Sequence, residues 1–333
     1  MNMILDNKLS NKEIIVLDGA TSTEIERLGA EMNSSAWSGV ANKTHPDIVR
    51  QVHEEYIRAG ADVITANTFS TSRHVLASAG LADETVRINA RAVELAREAV
   101  NNVSSNRPIA VAGSMSTNTA WIPGTYSPDP QFLPTPEEEF DNYREVAQTL
   151  ATAGVDLILM EMMTDIEHSS RVIAAAVETG LPVWIGTSCS LLSDGSLSAW
   201  NEHMEEPANK LSPNHVDYWK TLENNRSYAS LIEAMMSFNP QVMGVMHSTI
   251  NTTDSGITAL FEQWNGPVMV YPESSSMEAR IGVAHAIEPA AFATHCRDWV
   301  ERGVQIIGGC CGTTIEHIRA MVNELPDTIG DRR

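Results

Sequence analysis

The sequence predicts an α/β fold, a single-domain (β/α)8 TIM barrel. Three observations predict it. Short apolar runs alternate with helix-length amphipathic segments eight times over. The runs are flanked by Gly, Pro or Asn, as strands buried on both faces should be. Several helices end in a glycine just before the next run ("RAGADV", "TAGVDL", "ETGLPV", "ERGVQI"), the left-handed cap that leads into an αβ loop. Eight such units suit a closed barrel better than an open sheet, because closure covers the edges.

Taken in order, "EIIVLDG" (13–19) is the first strand. "HPDIVRQVHEEYIRAG" (45–60) is a helix, with Thr44 as its cap, Pro46 in its first turn and Gly60 at its end. Strand two is "ADVITAN" (61–67), with a helix near 83–101; strand three is "PIAVAGS" (108–114), with a helix over 136–153. Strand four is "VDLILME" (155–161), with a helix near 165–179; strand five is "LPVWIGTS" (181–188), with a helix near 225–238. "QVMGVMH" (241–247), a helix near 255–264, "PVMVYPE" (267–273), a helix over 288–302, "VQIIGG" (304–309) and a helix near 314–323 complete the set. No stretch reads as a domain linker, so residues 1–333 form one domain. Two long segments follow strand C-termini, the Pro-rich 115–135 and a polar loop of about 189–224 with Trp200, His203 and His215. Both are expected over the C-terminal face, the loop covering the pocket mouth.

The net charge of −21 repels phosphate backbones and anionic lipid heads, which sets nucleic acid and membrane aside as partners. No apolar run approaches the ~18 residues of a membrane span, and the first residues lack the basic and apolar regions of a signal peptide. A cytoplasmic location is expected. Assembly into a homo-oligomer stays open.

Four cysteines, Cys189, Cys296, Cys310 and Cys311, do not make a disulfide framework. Two of them stand side by side in "IIGGCCGTTIEHI" (306–318), at the end of the eighth strand, where a barrel places its catalytic groups. A disulfide between adjacent cysteines needs a strained local peptide. Packing as small hydrophobes does not explain two thiols in tandem at a catalytic rim. Tetrahedral zinc with an open position needs one more protein ligand, and "VMGVMHST" puts His247 at the end of the sixth strand, at the same rim. Cys310, Cys311 and His247 are therefore the candidate zinc ligands. Cys189 reads as packing or a rim thiol, and Cys296 as helix core.

With these residues in view, the chain resembles the zinc-dependent homocysteine S-methyltransferases, which include the betaine- and S-methylmethionine-using enzymes. The likeness spans about residues 14–320 and rests on "LDGATSTEIERLG" (17–29), "AWSG" (36–39), "HPDIVRQVHEEYIRAGADVITANTFSTS" (45–72), "VAGS" (111–114), "LILMEMMTDIEHS" (157–169) and above all "GGCCGTT" (308–314). It implies a (β/α)8 barrel, a zinc cofactor, a small-molecule thiol acceptor such as homocysteine, an onium-type methyl donor, and methionine as product. The family binds zinc through three cysteines; here His247 stands for the third and Met246 for the preceding Asn, Glu273 for the Asn of Tyr-Pro-Asn, and Met162 for a Thr after Glu161. Exchanging a thiolate for neutral imidazole removes one negative charge and makes the zinc a stronger Lewis acid. By the same resemblance Asp18 and Gly19 position the amino-acid substrate, and Glu161 binds its ammonium, Asp18 and Glu161 being the catalytic pair. Glu273 is a further anion, either an extra metal ligand or the partner of a cationic donor. Trp37, Trp121 and Trp200 are candidates for a cation–π wall against the onium group. Two alternatives remain at this level: a divergent metal-dependent lyase or hydrolase on a related sulfur or amino-acid-like substrate, and a barrel that binds without turnover.

Overall fold

A computed structural model describes residues 3–32, 36–103, 107–122, 128–192, 194–199, 227–274 and 287–332. Eight parallel strands form its sheet: β1 (Ile15–Val16), β2 (Val63–Ala66), β3 (Ala110–Ser116), β4 (Leu157–Met163), β5 (Val183–Thr187), β8 (Val242–Met246), β9 (Val268–Tyr271) and β10 (Ile306–Ile307). Between β5 and β8 lies an antiparallel hairpin of β6 (Cys189–Leu191) and β7 (Leu197–Ala199). The sheet order is β1-β10-β9-β8-β5-β4-β3-β2, and a parallel bridge from Leu17 to Val63 joins its two ends, closing the expected barrel.

Two apolar layers hold it together. Inside the barrel, Ile15, Leu17, Val63, Ala110, Leu157, Trp184, Val242, Met269 and Ile306 pack with Leu5. Outside, the opposite faces of the strands pack against the helices, with Tyr56, Val93, Leu150, Ile173, Leu231, Phe292 and Ile318 all buried. Strands that bury both faces read as unbroken apolar runs, which is why they were legible.

Several boundaries differ from expectation. The first and last strands shrink to two paired residues each, because the ladder ends where the chain turns into the rim. The helix expected near 255–264 spans Ile250–Gln263, since Thr249 accepts from Thr252 N and caps it early. Thr44 does not cap the helix Pro46–Ala59; it ends the short helix Ala41–Thr44, its hydroxyl donating to Val40 O, and His45 takes the cap position. Part of the expected 189–224 loop is the β6–β7 hairpin, and residues 200–226, with Trp200, His203 and His215, lie outside the described residues. Cys296 is core, as expected. No helix among the described residues is long and apolar enough to cross a membrane.

The helix Met3–Ser10, which closes the N-terminal end of the barrel, was not expected. Leu5 and Leu9 enter the inner layer. Gln305 Nε2 donates to the carbonyls of Lys8, Leu9 and Glu13, each at 3.1 Å, and Gln241 links Asp6 to the Trp184 indole at 2.8 Å on both sides.

His53, on the helix Pro46–Ala59, is fully buried, and neither ring nitrogen has a hydrogen-bond partner among the described residues. Burial lowers its pKa from 6.5 to about 4. Above pH 6.5 the ring is neutral in both folded and unfolded chains. Below that the unfolded chain takes up the proton first, so stability falls until pH 4 by roughly 3 kcal/mol, at 1.36 kcal/mol per unit. His53→Leu is expected to flatten this acid limb, raising the thermal midpoint at pH 5 more than at pH 8. Equal shifts at both values would contradict the assignment.

Candidate metal centre

The eighth-strand motif turns sharply after β10. Gly308 lies so close to β1 that a Cβ there would come within 2.7 Å of Asp18 O, and Gly312 has φ +75°, which favours glycine. Gly309 N–H donates to Asp18 O at 3.0 Å and Ala20 N–H to Thr313 Oγ1 at 3.2 Å, which seats the motif on the end of β1. On the other side Cys310 N–H donates to Pro272 O at 2.8 Å, and Ser274 N–H to Cys311 O at 2.9 Å. His247 N–H donates to Tyr271 O at 3.2 Å. These bonds bring the ends of β8 and β10 together across β9. His317 then fixes the turn: its Nδ1 accepts from Thr314 N–H at 3.1 Å, so Nε2 donates to Ile287 O at 2.7 Å.

The ligand atoms of His247, Cys310 and Cys311 lie within 4.8 Å of one another. Cys310 Sγ is 3.4 Å from His247 Nδ1 and 4.0 Å from Cys311 Sγ. With Zn–S near 2.3 Å and Zn–N near 2.0–2.1 Å, tetrahedral edges come to about 3.8 Å for S···S and about 3.5 Å for S···N. The trio fits a zinc ion, with one position left for a substrate. The Cys310 thiol's hydrogen bond, with the nearby His247 ring, holds Cys311 well below the usual thiol range. The same bond, with burial, pushes Cys310 up. Both cysteines are free thiols, without a bridge.

The trio opens on a cavity of about 650 Å³, its mouth included, whose wall contains Asp18, Gly19, Trp37, Phe69, Glu161 and Met246. Asp18 is buried; Thr65 donates to it through its N–H at 2.6 Å and its hydroxyl at 2.8 Å. Glu161, on β4, accepts from Ser114 Oγ. Burial pushes both carboxyls up to about 7. Trp37 stacks on Phe69 with ring centroids 5.6 Å apart and planes 15° apart. Trp37, Met162 and His247 all have positive φ (42°, 56° and 42°), so backbone strain gathers on this wall.

The structure thus gathers Asp18, Gly19, Trp37, Glu161, His247, Cys310 and Cys311 around one space. Glu273 is not part of the wall: it follows β9, is nearly buried, and its N–H donates to Ser248 O at 3.2 Å. Trp121 also lies off the wall, bridged to Pro128. Cys189 is packed, with its thiol 3.6 Å from Ser248 Oγ and pushed by burial up to about 12. Sequence reasoning missed Thr65, Phe69 and Ser114; their one signal was polar or bulky residues at strand C-termini. Met246 Sδ accepts Met162 N–H at 2.7 Å, which joins the two exchanged positions as one thioether wall.

A closed barrel with a Cys2His cluster at its C-terminal rim, beside a buried and a half-buried carboxylate, defines a metal-dependent barrel enzyme. The chain belongs to the homocysteine S-methyltransferase family, whose model matches residues 15–325. It is 27% identical to the homocysteine S-methyltransferase YbgG of Bacillus subtilis (strain 168), over 93% of this chain and 94% of that one. It is 24% identical to the selenocysteine methyltransferase of Astragalus bisulcatus, over 92% and 90%. The crystal structure of the metallated homocysteine methyltransferase MmuM from Escherichia coli shares the fold, with a TM-score of 0.67 at 21% identity over 96% of this chain and 98% of that one.

Proposed function

We propose that the protein moves a methyl group from an onium-type donor to a thiol such as homocysteine, giving methionine. The observation that carries this reading is the Cys2His trio opening on a space lined by two acids and an aromatic stack. Named relatives act on homocysteine and selenocysteine, two amino acids that carry a soft nucleophile and an ammonium.

His247, Cys310 and Cys311 would hold the zinc. When bound, it keeps the acceptor sulfur as thiolate at neutral pH, where a free thiol is mostly protonated. Asp18 and Glu161 take the acceptor's ammonium, and the Gly19 backbone lines the space beside them, a Cβ there being barred by the Tyr56 hydroxyl at 2.8 Å. Burial holds both acids near 7 in the free protein; an arriving ammonium favours their ionised forms. Trp37 and Phe69 offer ring faces to the donor's positive charge. Met162 and Met246 keep water from the reacting atoms. The acceptor sulfur attacks the methyl carbon in line, and the donor leaves with the bonding pair as a neutral amine or thioether. A thiolate and a cation become two neutral products, so a dry cavity favours the step.

The test is zinc-replete protein with homocysteine and, separately, S-methylmethionine, betaine and S-adenosylmethionine, each carrying a deuterated methyl. Deuterated methionine from at least one donor is expected. None from any donor would favour the lyase or hydrolase alternative.

A further inference from the structure

Trp37 has φ 42° and ψ −127°, a conformation that costs any residue with a Cβ. Its neighbour Ser38 is held at two points by one side chain. Asn67, just after β2, donates from Nδ2 to Ser38 O at 2.7 Å and accepts at Oδ1 from Ser38 Oγ at 2.6 Å. The second Nδ2 hydrogen goes to Asn42 Oδ1 at 3.0 Å, and Asn42 Nδ2 donates to Asn67 O at 2.8 Å. Ser38 Oγ has spent its one hydrogen, so in its 2.6 Å contact with Ser22 Oγ it must accept. Ser38, Asn42 and Asn67 are all nearly fully buried. A satisfied buried network of this kind is rigid. Only a carboxamide serves it: a carboxylate lacks both donors, and a hydroxyl cannot span three partners.

The same side chain stands two residues before Phe69, whose carbonyl accepts from Ser116 Oγ at 2.7 Å. Both rings of the stack are therefore fixed through the exit of β2. We propose that Asn67 is a positioning residue for the methyl donor: it holds the strained Trp37 backbone so that the Trp37–Phe69 pair faces the donor's cation. This rests on the methyl-transfer reading above.

The test uses Asn67→Ala, Trp37→Ala and the double variant, with donor and homocysteine varied separately. Each single change is expected to lower kcat/KM for the donor about tenfold, to leave the homocysteine KM within about twofold, and the double to be no worse than Trp37→Ala alone. Additive losses, or an equal change for homocysteine, overturn the proposal. A second readout needs no turnover: acrylamide quenching of the Trp37 emission, taken as the difference from matched Trp37→Phe proteins, should rise in Asn67→Ala. Unchanged quenching overturns the clamp. Raised quenching in a chain that transfers no methyl group keeps the clamp and defeats the reading of function. If Asn67→Ala does not fold, Asn42→Ala removes one acceptor of the amide and should show the same selectivity at smaller size.

Discussion

Cys311→Ser is expected to strip the protein of zinc and of methyl transfer together. A serine hydroxyl is close in size to the thiol but is not ionised at neutral pH, so the trio drops to two ligands. Activity should fall by more than about a hundredfold, since even losing an outer partner of a metal ligand typically costs 10- to 100-fold. Cys310→Ser should behave alike, the two sulfurs lying 4.0 Å apart as two edge-sharing ligands. His247→Ala should also lose metal, whereas His247→Cys, which keeps a ligand at the end of β8, should retain it. Elemental analysis after dialysis against a mild chelator, read beside methionine formation, checks all four. A Cys311→Ser protein that keeps one zinc per chain would rule out the trio as the metal site.

Glu161→Gln is expected to raise the homocysteine KM about tenfold to a hundredfold, the worth of a hydrogen bond between charged groups, with the donor KM little changed. Folding should not suffer, because the change removes a half-buried charge that desolvation already disfavours. The pH profile gives a second check. Asp18 and Glu161 both sit near pKa 7 in the free protein, so above pH 7 they stand ionised and ready for an ammonium. Below pH 7 each must first lose a proton, and kcat/KM for homocysteine should fall by up to about tenfold per pH unit for each group required. In Glu161→Gln the acid limb should become shallower. A limb of unchanged slope would mean that the titration belongs elsewhere.

Much of this could be read from residues alone, for identifiable reasons. Strands buried on both faces, and helices closed by glycine, mark the barrel without help from long-range contacts. Strand C-termini share one rim, so His247 and the Cys310–Cys311 pair could be placed together from sequence. Direction is harder. Glu273 follows β9 as the rim rule demands, yet it stands off the cavity wall. The Asn67 network escaped notice because Ser22, Ser38 and Asn42 come from three separate short helical segments with no shared period, and a buried amide looks in sequence like any other Asn. The helix Met3–Ser10 escaped because only Leu5 and Leu9 touch the inner layer, too little for an amphipathic signature.

Closure of the barrel by β10 bears on how the molecule is made. On the ribosome, a nascent chain halted before residue 306 would hold His247 but neither sulfur, and the Met269–Val270 edge of β9 would lack its neighbour. Gln305, which grips the first helix, would be the last fastener to arrive before that edge is covered. Cation uptake thus waits until the ribosome has passed Cys311, and a chain halted earlier would carry no loaded centre.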